Sequence, residues 1–250
     1  MGLKSHWSGA VSAEHRFRMM PGLARLLDAG RRHGLNLKDW PAGHTPHRAG
    51  ELVCGMPVDP MLSAAWTLVG KVAIGEFNSL LIRCDDELNG LLLENEEWQS
   101  FFPSDFWPDH FRLLMFFGRK MLYGYATVPG LANSEGLQPV VHVDPYEEIY
   151  ALPIASDVDR FFESYARYLE MAGGDQEYGE HLFDYVTFPW NVPEIIALDR
   201  PLVEMIRRGC FDPWMYECNK HGRRFAEDVE PTRKWISEVL RFADGGGTGG

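Results

Sequence analysis

The sequence predicts an α+β protein: a central, mostly antiparallel sheet flanked by helices, with extra helices at the C-terminus. The middle of the chain is a series of short apolar runs cut by turn residues, the pattern of successive strands. Apolar residues at helical spacing come before and after it. Residues 138–171 (QPVVHVDPYEEIYALPIASDVDRFFESYARYLEM) read without a break as strand, acidic turn, strand and amphipathic helix.

Taken in order, residues 1–13 read as a flexible leader. Residues 14–33 carry a helical stripe of Phe17, Met20, Leu23, Leu26 and Leu27, with Pro21 disturbing the first turn and Gly34 stopping the helix. Residues 36–55 are rich in Pro, Gly and His and predict a loop. Pro57-Val58-Asp59-Pro60 then opens a helix through Leu62, Ala65, Trp66 and Val69 that ends at Gly70. Apolar runs at 77–83 and 91–93 predict two strands, joined by a turn that closes on Asn89-Gly90. A short helix at 94–101 and a Pro- and aromatic-rich loop follow. Residues 111–117 and 123–128 predict the next strands.

Strands at 139–143 and 149–154 flank the turn Asp144-Pro145-Tyr146-Glu147-Glu148. Ser156 stands at the predicted N-cap of the next helix, with Asp157 and Asp159 at the positive end of its dipole. Val158, Phe161, Phe162, Tyr165, Tyr168 and Leu169 form its apolar face, and Ala172-Gly173-Gly174 ends it. Beyond a rigid connector at 188–193, helices are predicted from Pro193, over 202–208 and from Pro231. The organisation expected is an α+β domain over 14–174, a helical extension over 175–242 packed on it, and a disordered Gly-rich tail over 243–250.

The chain has 250 residues, 45% of them hydrophobic and 13% aromatic, which is ample for a core and unlike a disordered segment. A net charge of −12 argues against nucleic acid or an anionic membrane as the main ligand and permits a basic protein partner. No apolar run reaches the roughly 18 residues of a membrane span. Four scattered cysteines look like reduced thiols, and a cytoplasmic location is expected.

Metal ligation is a weak reading of the histidines and cysteines. His44 and His47 share one loop, and Cys210, Cys218 and His221 are spaced too widely for a zinc knuckle. His142 with Asp144, or Asp109 with His110, could begin an acid–base pair. No nucleophile elbow, phosphate loop or dinucleotide fingerprint accompanies them, so no catalytic residue, metal or cofactor is expected. The acidic turns are more suggestive. Asp85, Asp86 and Glu87 in one, and Asp144, Glu147 and Glu148 in the other, would form a patch that steers a basic partner. Aromatics near the loops would be core anchors, with any exposed ones serving as contact points.

The run Pro139-Val140-Val141-His142-Val143-Asp144, the acidic turn and Ile154-Ala155-Ser156-Asp157-Val158-Asp159-Arg160-Phe161-Phe162 resemble the SUKH (SMI1/KNR4) superfamily. Phe116-Phe117-Gly118 and the helix–strand unit of residues 58–83 resemble its preceding elements. The likeness spans residues 57–171, although Val69-Gly70-Lys71 stands where the superfamily has Asn-Gly-Gly. It implies a non-enzymatic domain, in bacteria often an immunity protein that binds and silences a cognate toxin such as a nuclease. The alternative it accommodates is a regulatory scaffold or adaptor for a cellular protein.

Overall fold

Most of the apolar runs in the middle of the chain become strands of one sheet. The computed structural model describes residues 20–42, 47–75, 78–101, 109–144, 150–173, 188–216 and 230–245. The predicted leader, His44, Glu147, Glu148, Cys218, His221 and residues 246–250 of the predicted tail lie outside the described residues. The first residue assigned to that tail, Ala243, instead closes the last helix and is buried.

Helix α1 (Pro21–Arg32) is followed by β1 (Leu37–Pro41), a small hairpin of β2 (Leu52–Val53) and β3 (Met56–Pro57), and α2 (Pro60–Leu68). Strands β4 (Val69–Ile74) and β5 (Asn78–Leu81) lead into α3 (Leu91–Phe101). A 3-10 turn at Asp109–Leu113 precedes β6 (Met115–Lys120), β7 (Tyr123–Thr127), β8 (Val140–Asp144) and β9 (Tyr150–Ala155). Helix α4 (Val158–Gly173) then crosses the sheet. After it come α5 (Pro193–Ile196), α6 (Arg200–Arg207), α7 (Asp212–Tyr216) and α8 (Glu230–Ala243).

Among the described residues the main sheet has seven strands in the order β1-β4-β5-β6-β7-β8-β9, with every neighbouring pair antiparallel. From β4 to β9 it is a meander, and β1 closes its first edge. This is the α+β architecture the sequence predicts. Helices α3 and α4 cover opposite faces. Trp98 of α3 stacks on Phe116 at 4.1 Å, directly over Gly124, where a Cβ would collide with both rings. Tyr125, the next residue along β7, instead touches Phe161 of α4. The face predicted for α4 is fully buried: Val158, Phe161, Phe162, Tyr165, Tyr168 and Leu169. Each such side chain contributes about 1.5–3 kcal/mol by leaving water.

Several local expectations are corrected. The loop predicted over 36–55 contains β1 and β2. Strand β1 is an exposed edge, so it lacks the alternation that marks a half-buried strand; it is held by its ladder to β4 and by Lys71 over the Trp40 ring at 5.0 Å. Val69 and Gly70 begin β4 rather than ending a helix. Residues 91–93 are the first turn of α3, not a strand: Leu91 is buried while Leu92 and Leu93 face out. The run at 111–117 splits into the 3-10 turn and β6, which continues through Gly118 to Lys120. Helix α7, absent from the prediction, packs against β9.

The caps are also redistributed. Asp157, not Ser156, caps α4, accepting the Arg160 N–H at 2.9 Å. Asp159 turns away from its own helix. Its two oxygens accept the N–H groups of Gly22 and Leu23, each at 3.0 Å, at the start of α1, whose own N-cap residue Met20 offers no side-chain bond. The two helices close on each other there, and a Cβ on Gly22 would lie 2.0 Å from the Asp159 carbonyl oxygen. Arg25 of α1 completes the seam, bonding Glu170 at 2.6 Å and holding its carboxyl below the usual range.

The seam gives a graded expectation. Asp159→Ala should cost about 1–2 kcal/mol, the loss of one helix cap. Gly22→Ala should cost about 1–3 kcal/mol through forced separation of the helices. Urea unfolding with an unchanged slope measures both, and an Asp159→Ala midpoint equal to wild type would remove the cap from the account.

Candidate functional site

The predicted partner-binding residues divide into two places. Strand β5 runs to Leu81 and Ile82, whose N–H bonds the Phe117 carbonyl, before the Asp85–Glu87 loop leaves the sheet. Strand β8 runs the other way and ends at Asp144 beside Tyr150. The two acidic segments therefore sit at opposite ends of the sheet. The length of β8 alone, at about 3.3 Å per residue, sets them roughly 13 Å apart. Asp144 is also only 3% exposed. A single patch joining both turns does not form from the described residues.

The Asp144 end carries a buried polar row instead. Asn78, Lys120 and Tyr123 are cross-strand neighbours there, and His142 lies against the Tyr123 and Tyr125 rings on the α4 side of the sheet. Lys120 is 6% and His142 3% exposed, which is rare for such groups. Burial, and then the nearby charge of Lys120, pulls His142 down to about 3, so its imidazole is neutral at ordinary pH. A base so weak is poorly matched to proton transfer near neutrality. The other suggested pair fares similarly: His110 Nε2 bonds the Pro213 carbonyl at 3.0 Å and its ring packs edge-on to Trp214.

The Asp85–Glu87 end is built differently. Arg83 grips both oxygens of Asp85, at 2.9 and 3.0 Å. Asp86 Oδ1 accepts the N–H groups of Leu88 and Asn89 at 3.0 and 3.2 Å, an Asx turn. Gly90 is required beneath it, since a Cβ would sit 1.9 Å from the Asp86 carbonyl oxygen. This loop, the β2–β3 hairpin and the start of α3 enclose a groove of about 390 Å³ lined by His47, Leu52, Val53, Cys54, Cys84 and Leu92. Gln99 Nε2 ties the hairpin to α3 through the Cys54 carbonyl at 3.2 Å.

Around this groove the surface is apolar with a carboxylate border. Leu52 is 65%, Leu88 78% and Leu92 53% exposed. Asp85, Asp86 and Glu87 line one side, and Glu51 stands next to Leu52, bonded to His47 Nδ1 at 2.7 Å. The Arg48 N–H and then His47 keep the Glu51 carboxyl below its ordinary range. Burial pushes both the Cys54 and Cys84 thiols up, and Glu96 adds to the shift at Cys54. Sequence reasoning found the acids and missed the leucines. For Leu92 the signal was Leu91-Leu92-Leu93 itself, because a helix can bury only part of three consecutive leucines. Leu52 and Leu88 stand singly in loop-like sequence and carried no such signal.

Comparisons with protein-family models, with curated proteins and with solved structures returned no match. The site therefore stands on its own geometry. Among the described residues no group of three or more His, Cys, Asp or Glu side chains could hold a metal ion, and no helix is long and apolar enough to cross a membrane.

The His142 environment sets a pH expectation. Its folded pKa lies below the ordinary 6.5, so the unfolded chain takes up a proton first as pH falls. Stability contributed by the neutral ring is present above about pH 6.5 and is lost progressively toward pH 3. His142→Leu should thus gain on wild type by about 2–3 kcal/mol between pH 7 and pH 4, read as the difference in urea unfolding free energies. A difference that stays flat with pH would show that the ring is already hydrated in the folded state.

Proposed function

We propose that this protein is an immunity protein of SUKH type, which binds a basic protein toxin in the cytoplasm and neutralises it by stoichiometric occlusion. One observation carries the reading: solvent-facing Leu52 and Leu92 line one groove with the carboxylates of Asp85, Asp86 and Glu87, and the exposed Leu88 follows directly in the same loop. Apolar area with a polar border is the make-up of a protein contact surface. The net charge of −12 supports a cationic partner, because like-signed fields would slow encounter. The rigid Asx turn supports tight binding, since a loop already in its bound shape loses little freedom on association.

The reading needs no cofactor and no catalytic group. The low basicity of His142 and the packing role of His110 favour binding over chemistry. The sequence likeness at 138–171 supports the toxin-directed form of this role, and the apolar, acid-bordered groove of Leu52 and Leu92 supports a contact on that side of the molecule.

Affinity capture from the native host, followed by identification of what co-purifies, tests the reading directly. A basic toxin domain at equimolar ratio is expected, and co-expression should protect cells from it. Recovery of only acidic or nucleic-acid-bound partners would overturn it. Within a recovered complex, Asp86→Lys with Glu87→Lys should lower the association rate by about tenfold at low salt and flatten its salt dependence. Unchanged rates would remove these carboxylates from the encounter.

A further inference from the structure

The groove between the β2–β3 hairpin, the 84–87 loop and α3 is shaped for something narrower than a folded surface. We infer that it receives a linear segment of the partner protein in which a large apolar side chain is flanked by Lys or Arg. This inference rests on the binding role proposed above and specifies how that binding is made.

The argument runs from floor to rim. The groove's volume of about 390 Å³ lies near the low end of the ~300–1,000 Å³ typical of ligand sites, so it accommodates side chains rather than a domain face. Its floor is Val53, which is buried, together with Cys54 and Cys84. Both thiols are pushed up by burial and stay uncharged at neutral pH, so the floor is apolar. Leu52 and Leu92 stand at the lips with most of their surface in water. An apolar anchor entering the hollow would cover both at once.

Charge then selects the neighbours of that anchor. Asp85 is gripped by Arg83 and serves the loop. Asp86 spends one oxygen, Oδ1, on the Leu88 and Asn89 N–H groups. Glu87 is exposed and has no bonded partner among the described residues. Glu51 and Glu96 extend the negative border on the hairpin and on α3. Such a rim repels phosphates and carboxylates and attracts Lys or Arg on either side of the anchor. Burying a few anchor side chains in a pocket is how grooves of this kind bind peptide segments.

The walls are already in place. Cys54 Sγ donates to the Leu92 carbonyl at 3.9 Å, Gln99 ties the Cys54 carbonyl, and Ser63 Oγ holds the His47 carbonyl at 2.8 Å. The segment would therefore enter a standing groove rather than open one.

Fluorescence anisotropy with short labelled peptides tests this on the full-length protein. The probes are a peptide with Leu and Phe at its centre and Lys at its flanks, the same peptide with Leu and Phe replaced by Ser, and a version with Lys replaced by Glu. The first should bind, the Ser version should bind at least about tenfold more weakly, and the Glu version should not bind. Leu52→Asp with Leu92→Asp should abolish binding of the first, and Asp86→Lys with Glu87→Lys should weaken it by about tenfold. Leu52 and Leu92 keep most of their surface in solvent, so the melting temperature of that variant should not move. Asp86→Lys also gives up the turn bonds to Leu88 and Asn89, so its melting temperature is read alongside that of Glu87→Lys alone, which should not shift. Equal binding of the Ser version, or full binding by the Leu52→Asp, Leu92→Asp protein, would overturn the inference. A native partner that stays bound to that double variant would overturn it too, while leaving neutralisation intact. The peptide pattern without any neutralised toxin would sink the toxin reading and keep the groove.

Discussion

Helix N-termini inside a protein present amide hydrogens that must find acceptors, and this molecule meets that demand with three aspartates placed between elements. Asp59 caps α2 through the Met61 and Leu62 N–H groups and reaches across to the Gln138 N–H at 2.7 Å. Asp199 caps α6 through Leu202 and holds the Ser156 N–H at 2.7 Å. Asp159 serves α1 alone, from a different helix. Each carboxylate thereby joins a helix start to a distant part of the chain. Burial raises all three above the ordinary Asp range, Asp59 to about 6, even though each accepts backbone hydrogen bonds. The bonds offset the desolvation without cancelling it.

Much of the fold was legible in the sequence, and the reasons differ by element. Helix α4 was readable because its buried face repeats at helical spacing and its ends carry stop signals. Strands β7, β8 and β9 were readable because they are short apolar runs between turn residues. Strand β1 was not, since an edge strand with half-exposed side chains has no hydrophobic alternation to detect. The strand expected at Leu91–Leu93 failed for a related reason: strength of hydrophobicity was mistaken for burial. The Ser156 expectation failed because capping was judged within one helix, whereas the Ser156 amide is claimed by Asp199 from another.

The candidate site was half legible. Acidic turn residues announce themselves by type, yet their type does not say which end of the sheet they occupy. Register decides that, and register placed Asp144 in the interior and Asp85 to Glu87 at the surface. Leu92 was hidden inside a run that looked like core, and Leu52 and Leu88 stood singly among loop residues. The two ends of the sheet consequently have different chemistry. One buries a lysine and an aspartate near a histidine packed on two tyrosine rings, and the other shows apolar side chains to water beside carboxylates.

The seam between α1 and α4 has a consequence for how the chain matures. The acceptor for the α1 amides is 137 residues downstream. The ring of His33 at the end of α1 likewise rests on Gly173, where a Cβ would lie 2.5 Å from the ring. During synthesis α1 therefore emerges long before its cap and its packing surface exist. A twelve-residue helix is marginal on its own. Contacts of such sequence separation also slow folding. Helix α1 is thus made well before it can be secured, and the nascent chain carries its apolar face uncovered until translation has passed Gly173.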